Sequence, residues 1–287
     1  MQMNCAWKEL LSILPSRWRG EVDRLGCDAA QNIRLRIHAP PELCCRGKTH
    51  WLRDTVSRED LNFIINTASR YSPWAATSVS RGYLTAPGGH RIGLCGEAVM
   101  KNRAVSSFRE ITSVCIRVAR DIPGIAGELK RLNGSVLILG APGWGKTTLL
   151  RDLIRQKARD GLHICVVDER EELFPTGIPR ENTMDVLLGC EKAPGMEMAL
   201  RTMEPNIIAM DEITAEEDCM ALLQGAWCGV TLFATAHAAS LSDYLHREIY
   251  RPLVEQNIFD HIIILRSDKS WSLERSKGWT TNGLVRN

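Results

Sequence analysis

Nine consecutive residues, Gly140 to Thr148, carry the clearest chemical motif in the sequence, GAPGWGKTT. An apolar run, Val136–Leu139, precedes them and a helix-forming run, Leu149–Arg155, follows. This order fits the phosphate-binding loop G-x-x-x-x-G-K-[ST], which lies between a buried strand and a helix. Backbone N–H groups of such a loop face an anion, and the helix that follows points its positive end at the same place. The motif therefore predicts a site for the phosphates of a nucleoside triphosphate.

The residue types within this loop have separate predicted roles. Gly143 and Gly145 let the backbone curl around an anion, because glycine accepts left-handed conformations. Lys146 is expected to reach the β- and γ-phosphates of ATP, and the Thr147 hydroxyl to bind Mg²⁺. Trp144 is a large apolar residue where small ones would do. The predicted ATP-binding residues are Gly140, Ala141, Pro142, Gly143, Trp144, Gly145, Lys146, Thr147 and Thr148.

Two carboxylates follow another apolar run about 60 residues after the loop. The run is Ile207–Met210, and Asp211 and Glu212 come directly after it. Phosphoryl transfer from ATP needs one carboxylate near Mg²⁺ and another that orients the attacking water. We therefore assign Asp211, with Thr147, to the magnesium site and Glu212 to the activation of water.

Two further apolar runs also end in polar residues. Asp168 and Glu169 follow the run that ends at Val167, and His237 follows Thr231–Ala236. Ligands of open α/β sheets lie beyond the carboxyl ends of the strands, so these side chains are expected near the phosphates. The alternatives are a solvated charge run and a structural histidine. The predicted catalytic residues are Lys146, Asp168, Glu169, Glu212 and His237.

The elements that must position these residues alternate between strand and helix in the second half, which predicts a mostly parallel sheet with crossover helices. The predicted strands are Val136–Leu139, His163–Val167, Ile207–Met210, Thr231–Ala234 and His261–Leu265. Short strands with turn signals predict a smaller α+β domain in the first half. We place the domains at residues 1–124 and 125–287, and a helix over Ala126–Leu132 is expected to open the second. In the first domain, Pro15 and Gly20 predict a break after an initial helix, and Ser57 predicts a helix start.

Composition bounds the protein class. The 287 residues are 44% apolar, as a packed globular protein requires. Residues 1–133 carry 20 Lys and Arg against 12 Asp and Glu, whereas the remainder carries 16 against 22. This split suggests a basic surface for nucleic acid or anionic lipid, or a basic half that docks on the acidic half of a neighbour.

The ten cysteines include no C-x-x-C pair, which argues against a zinc ribbon and a disulfide framework. No signal peptide and no apolar run of membrane-spanning length is evident. We therefore expect a soluble protein in a reducing cytosol, one that can still work at a membrane surface.

Several stretches resemble the stage III sporulation protein AA family and, more widely, the secretion-type ATPases of type II and type IV systems. The stretches are GAPGWGKTTLLRD, VVDEREEL, DVLLGCEKAPGMEMALRTMEPNIIAMDEI and GVTLFATAHA, with GYLTAPGGHRIGLCGEAV and ITSVCIRVARDIPG upstream. The four boxes of the wider group fall on Gly140–Thr147, Asp168-Glu169, Asp211-Glu212 and His237. The resemblance departs from the wider group at Asp211, where glycine is usual. It also departs at Thr214, where glycine is expected, and at Asn206, where aspartate is expected.

The resemblance implies a RecA-like ATPase domain that hydrolyses ATP with Mg²⁺ in a hexameric ring, and an amino-terminal domain that moves against it. It implies a motor for the channel complex between mother cell and forespore, in the mother-cell cytoplasm and peripheral to the membrane. Its implied partners are membrane proteins of the same sporulation operon. Arginines of the first domain commonly complete the site in the wider group. The sequence does not choose among Arg91, Arg103, Arg109, Arg117 and Arg120.

Two other functions stay open at this point. A nucleic-acid-stimulated P-loop ATPase would use the basic first half and the outward Arg34 and Arg36, although no interleaved aromatic platform accompanies them. A regulatory switch would bind ATP, hydrolyse it slowly and change its partner. ATP turnover and the effect of single-stranded nucleic acid on it distinguish these two functions from a motor.

Overall fold

A computed structural model describes residues 5–27, 29–69, 79–80, 82–175 and 177–275. The chain divides into two compact units. The first unit comprises Gln2–Asp121 with Pro175–Ile178, and the second comprises Ile122–Phe174 with Pro179–Asn287. The domain boundary expected after residue 124 stays a prediction.

The described part of the first unit contains three α-helices and a six-stranded sheet. The helices are α1 (Trp7–Ile13), α2 (Ser16–Leu25) and α3 (Arg58–Ala68). The strands are β1 (Ala30–Arg36), β2 (Glu42–Cys45), β3 (Lys48–Trp51), β4 (Tyr83–Thr85), β5 (Arg91–Lys101) and β6 (Ala104–Arg117). Their order is β3-β2-β1-β6-β5-β4, and neighbouring strands are antiparallel. The predicted α+β character is confirmed.

Local sequence explains one helix of this unit and misleads on another. Ser57 precedes α3, as predicted, and its hydroxyl accepts the Asp60 N–H at 3.2 Å while the Asp60 carboxylate accepts the Ser57 N–H at 2.7 Å. The predicted break at Gly20 is wrong, because α2 runs through it. Trp18 and Val22 bury one face of α2. Burial of these two side chains outweighs the cost of a mid-helix glycine, which is only about 1 kcal/mol.

The described part of the second unit forms a seven-stranded sheet with helices between its strands. The strands are β7 (Val136–Leu139), β8 (Ile164–Asp168), β9 (Met184–Leu188), β10 (Ile207–Ile213), β11 (Thr231–Ala236), β12 (His261–Leu265) and β13 (Trp271–Arg275). The α-helices are α4 (Lys146–Arg159), α5 (Lys192–Thr202), α6 (Glu216–Trp227), α7 (Leu241–His246) and α8 (Arg251–Gln256). Only β13 runs antiparallel to its neighbour within this sheet, whose described order is β13-β12-β7-β11-β10-β8-β9. The predicted mostly parallel sheet is confirmed.

All five predicted strands of this unit are present, whereas β9 and β13 were not predicted. The prediction of a helix over Ala126–Leu132 is wrong, since only a short 3₁₀ turn forms there at Gly127–Leu129. The carboxylate of Asp152 on α4 accepts the N–H groups of Gly124 and Ala126 at 2.9 and 2.8 Å. These bonds fix the backbone in a turn where a helix would have begun.

The order of the strands decides which loops meet. Strands β7, β11, β10 and β8 are adjacent and parallel, so their carboxyl ends lie along one edge of the sheet. The phosphate-binding loop leaves β7 at that edge, and the residues after the other three strands converge on it. Every residue of β7 and β8 is buried, which makes this edge a rigid platform.

No helix in the described part of the chain is both long enough and apolar enough to cross a membrane.

Candidate active site

The loop after β7 has the backbone that an anion site requires. Gly143 and Gly145 both lie at positive φ, 75° and 102°, where a residue with a side chain would be strained. Helix α4 begins directly afterwards at Lys146. The first N–H groups of α4 have no partner within the helix, and its dipole favours a negative charge there. Loop and helix together therefore offer backbone N–H groups and the positive end of a helix dipole to an anion.

Lys146 closes this loop on itself. Its side-chain Nζ donates to the carbonyl oxygens of Gly140 at 2.8 Å and Ala141 at 3.3 Å. Burial lowers the pKa of the Lys146 ammonium, and the nearby carboxylates of Glu212 and Asp211 raise it in part. The hydrogen-bond partners of this buried ammonium are neutral carbonyls, so a bound anion would gain a strong interaction here.

Thr147 and Asp211 meet as the sequence predicts for a magnesium site. The Thr147 hydroxyl donates to Asp211 Oδ2 at 2.7 Å. Hydroxyl and carboxylate oxygens are hard ligands suited to Mg²⁺, which takes few oxygens from protein and completes its shell with water and phosphate. No group of three or more His, Cys, Asp or Glu side chains among the described residues is arranged to hold a metal ion by itself. The donor set therefore fits Mg²⁺ bound together with a nucleotide.

A β-bulge sets the directions of Asp211 and Glu212. The register between β10 and β11 shifts there, so that these two residues stand opposite the single residue Thr235. The fully buried Thr235 hydroxyl donates to Asp211 Oδ1 at 2.7 Å and accepts the Glu212 N–H at 2.8 Å. Glu212 adopts a left-handed φ of 49°, which is uncommon for a non-glycine residue. One threonine thus fixes both acidic residues.

The Glu212 side chain forms an ion pair across the sheet edge. Its Oε2 lies 2.8 Å from a guanidinium nitrogen of Arg170, which follows β8. Both side chains are partly exposed. Glu212 also lies close enough to Lys146 to stabilise the ammonium. The carboxylate assigned to water activation therefore pairs with Arg170 and interacts electrostatically with Lys146.

Asp168 makes contacts that differ from those expected of a catalytic group. Its carboxylate accepts the backbone N–H groups of Glu172, Leu173 and Phe174 at 2.8, 3.0 and 2.8 Å. Burial raises the pKa of Asp168 to about 6, against the lowering effect of the Phe174 and Leu173 amides. Arg151 of α4 binds the carbonyls of Glu172 and Leu173 in the same turn. The catalytic role of Asp168 stays a prediction, and these bonds favour a role in holding the turn beside α4.

Glu169 belongs to a different network from the one expected. Its Oε2 lies 3.1 Å from Nζ of Lys192, the first residue of α5. The Lys192 ammonium is buried and also donates to Asp218 Oδ2 at 3.0 Å and to the Thr214 hydroxyl at 3.1 Å. Thr214 occupies the position where glycine was expected, and its hydroxyl has a definite use in this network. The catalytic role of Glu169 stays a prediction.

His237 follows β11 at the same edge of the sheet. Its backbone N–H is 3.2 Å from the Tyr250 hydroxyl oxygen, and its side chain is partly exposed. Its predicted γ-phosphate-sensing role stays a prediction.

The phosphate-binding loop also contacts the turn between β12 and β13. The ammonium of Lys269 in this turn donates to the carbonyl of Gly143. Trp144 is partly buried, and its backbone N–H donates to the backbone carbonyl of Ala141 at 3.2 Å. The turn thus holds a second cation beside the loop, which no motif in the sequence indicated.

The five candidate arginines all lie in the first unit, and their local contacts differ. The Arg91 guanidinium stacks on Tyr83 at 4.0 Å, and Arg120 donates to the carbonyls of Cys27 and Ala30. Arg109 pairs with Glu97 on the same hairpin. Arg103 and Arg117 are exposed. Which of the five completes the site stays a prediction.

The structure therefore brings together the loop, Lys146, Thr147, Asp211 and Glu212. The sequence did not single out four further residues at the edge: Arg170, Lys192, Thr235 and Lys269. A threonine in an apolar run and an arginine in a charge run carry no distinctive local signal. Only the pairing of strands shows their use.

Comparison with solved structures defines the class of fold. The X-ray structure of the Legionella pneumophila ATPase DotB matches with a TM-score of 0.59 at 19% identity, covering 91% of this chain and 80% of that one. The crystal structure of the pilus retraction motor PilT with bound ADP gives a TM-score of 0.58 at 18% identity, with 86% and 76% covered. The fold is thus one shared with these two proteins: a RecA-like P-loop domain preceded by a smaller α+β domain, as predicted.

The chain belongs to the family described as sporulation stage III, protein AA, whose family model matches residues 7–275. Stage III sporulation protein AA of Bacillus subtilis (strain 168) is 35% identical over 282 residues, which cover 91% of each chain. A shorter match of 26% identity over 115 residues is to the type IV pilus assembly ATPase TfpB of Acinetobacter baylyi. That match covers 40% of this chain and 19% of TfpB. The predicted family resemblance is confirmed.

Proposed function

We propose that this protein is an ATPase that hydrolyses Mg²⁺-bound ATP at the edge formed by β7, β10 and β11. The observation that carries the proposal is the 2.7 Å hydrogen bond between the Thr147 hydroxyl and Asp211 Oδ2. These residues lie 64 positions apart in sequence, and each is the residue type that P-loop enzymes use for magnesium. A glycine-rich turn without a nucleotide would have no need for this pairing.

Each residue of the site has a proposed task. Backbone N–H groups at Gly143 to Lys146 bind the phosphates, and Lys146 exchanges its carbonyl partners for phosphate oxygens. Thr147 and Asp211 hold Mg²⁺, which neutralises charge on the β- and γ-phosphates when it is bound. Glu212 accepts a proton from the attacking water. The Thr235 hydroxyl keeps Asp211 and Glu212 in their separate directions.

Turnover measurements on two variants test this function. We expect Lys146→Ala to abolish ATP hydrolysis through lost phosphate binding, and Glu212→Gln to bind ATP but release phosphate at least about 100-fold more slowly. Glu217→Gln is the matched control, because Glu217 is an exposed glutamate in the first turn of α6. Equal turnover in all four proteins would refute the catalytic assignment. Wild-type binding of ATP without turnover would instead support the regulatory switch.

The biological task that we propose is to energise the channel complex between mother cell and forespore. The likeness to the Bacillus subtilis sporulation protein and to a pilus assembly ATPase supports this task. The proposed assembly is a ring of six identical subunits. It works at the membrane together with membrane proteins of the same operon. The unequal charge of the two halves supports packing between a basic face and an acidic face of neighbouring subunits.

Two measurements test the assembly and its partner. Light scattering of the Glu212→Gln variant with ATP and Mg²⁺ should give a mass of six subunits. Affinity purification of the same variant from sporulating cells should recover a membrane protein of the operon, because the variant holds the ATP state. Recovery of nucleic acid in place of the membrane protein would favour the nucleic-acid-stimulated ATPase.

A further inference from the structure

Arg170 is the only described basic residue that pairs with the carboxylate assigned to water activation. One of its guanidinium nitrogens lies 2.8 Å from Glu212 Oε2. It follows Asp168 by two residues, and the backbone there is held by bonds from Asp168 to the next turn. The turn therefore holds the backbone near Arg170, while 46% of the Arg170 side chain is exposed to solvent.

The paired state of Glu212 is poorly suited to catalysis. An oxygen bonded to a guanidinium is less available to accept a proton from water. The Glu212 backbone cannot easily turn the side chain elsewhere, because Thr235 holds its N–H within the bulge. The ion pair occupies Oε2, one of the two acceptor oxygens of Glu212, so full release of the carboxylate requires Arg170 to leave.

The proposed ATP site supplies a competing anion for Arg170. Lys146, which is expected to bind the γ-phosphate, interacts electrostatically with Glu212, the partner of Arg170, so we expect a phosphate held by Lys146 to come within reach of the Arg170 side chain. A guanidinium binds phosphate oxygens with two parallel hydrogen bonds. The terminal phosphate of ATP carries more charge than one carboxylate and attracts the guanidinium more strongly.

We propose that Arg170 is a sensor of the γ-phosphate that acts within its own subunit. It pairs with Glu212 when the site is empty and also when ADP is bound. When ATP binds, it moves to the γ-phosphate and frees Glu212 to activate water. The inference rests on the proposed ATPase function. The Arg170 side chain would then both distinguish ATP from ADP and keep Glu212 from activating water until ATP is bound.

Calorimetric titration with ATPγS and with ADP, both with Mg²⁺, tests the sensor. Arg170→Ala should weaken ATPγS binding about tenfold, the effect of one charge-assisted contact, and leave ADP binding within about twofold. Arg170→Lys should give intermediate ATPγS affinity. Arg159→Ala is the matched control, because Arg159 forms an exposed ion pair with Glu181 at the opposite end of α4 from the loop.

We expect the Glu212→Gln variant to change the affinity for ATPγS in the opposite direction from Arg170→Ala. Loss of the carboxylate releases Arg170 in advance, so this variant should bind ATPγS several-fold more tightly than the wild type. The double variant Arg170→Ala with Glu212→Gln should lose that gain, which a purely structural role for Arg170 would not produce.

The outcomes separate failure of the sensor from failure of the ATPase assignment. A wild-type protein that binds neither nucleotide refutes the proposed function itself. A wild type that prefers ATPγS, together with an Arg170→Ala variant of equal preference and unchanged melting temperature, refutes only the sensor. Equal weakening of ATPγS and ADP by Arg170→Ala refutes it as well.

Discussion

The buried hydroxyl of Thr235 accepts the backbone N–H of Glu212 at 2.8 Å and donates to the neighbouring Asp211 carboxylate at 2.7 Å. A single side chain on β11 thus fixes two residues of β10 at the point where the strand pairing slips. Because the Thr235 side chain is fully buried and makes both bonds, the bulge depends on this hydroxyl.

Thr235→Val keeps the shape of the side chain but removes the hydroxyl. We expect the free energy of unfolding to fall by about 1–3 kcal/mol, because the Glu212 N–H loses its partner in a partly buried place. We also expect ATP turnover to fall about tenfold or more as Glu212 loses its direction. Denaturant unfolding and phosphate release measure the two effects. Thr235→Ser, which keeps the hydroxyl, should retain most of both, and equal losses in Val and Ser would contradict the assignment.

Thr147→Ala tests the magnesium site. The variant removes one of the two proposed oxygen ligands that meet near the loop, so the Mg²⁺ concentration for half-maximal turnover should rise about tenfold or more. Thr147→Ser should behave like the wild type. Titration of turnover with Mg²⁺ at fixed ATP, after removal of divalent ions with a chelator, measures the shift. An unchanged Mg²⁺ requirement in the alanine variant would show that Thr147 does not bind the ion.

Because the pKa of Asp168 is raised, we expect the free energy of unfolding to fall as the pH rises. Burial raises its pKa from an ordinary value near 4 to about 6, so the folded state holds this proton more tightly than the unfolded state. The contribution of Asp168 to stability is complete below about pH 4 and is lost as the pH rises through about 6.

Asp168→Asn removes this titration. Between pH 4.5 and pH 7, the stability of the wild type relative to the variant should fall by about 2 kcal/mol, as the size of the shift requires. Urea unfolding at the two pH values measures the change. A constant difference between the two proteins would show that Asp168 keeps the same charge in the folded and unfolded states.

The buried Lys192 network predicts a large stability effect. Lys192→Met leaves Glu169 and Asp218 without their shared cation, and loss of one partner from a buried pair costs about 3–5 kcal/mol. Arg201→Ala is the control, since Arg201 and Glu197 form an exposed pair on α5 worth less than about 0.5 kcal/mol. Thermal unfolding should separate the two variants clearly, and similar melting temperatures would contradict the network.

Local sequence predicted the elements whose burial is complete. Strands β7 and β8 are short apolar runs between polar ends, and such runs are unambiguous when loops and helices alternate around them. Strands β9 and β13 escaped prediction because both are partly exposed edge strands. Polar residues interrupt the apolar residues of both strands, and pairing with a neighbouring strand decides their conformation.

The residues of the candidate site also fall into two groups, those that the sequence predicted and those that it did not. Lys146, Thr147, Asp211 and Glu212 belong to motifs within which spacing alone assigns a role. Arg170 and Thr235 act through bonds between strands that are far apart in sequence, so no local pattern shows them.

The contact between Lys269 and Gly143 joins residues 126 positions apart. Strand β12, which leads into the turn that holds Lys269, is also the sheet neighbour of β7. During synthesis on the ribosome, β7 and its loop emerge long before β12 exists to flank them. The nascent chain therefore cannot complete the proposed nucleotide site early, and we expect ATP not to stabilise a partly made subunit. In the proposed ring, subunits would join only after β12 and the turn that holds Lys269 are in place.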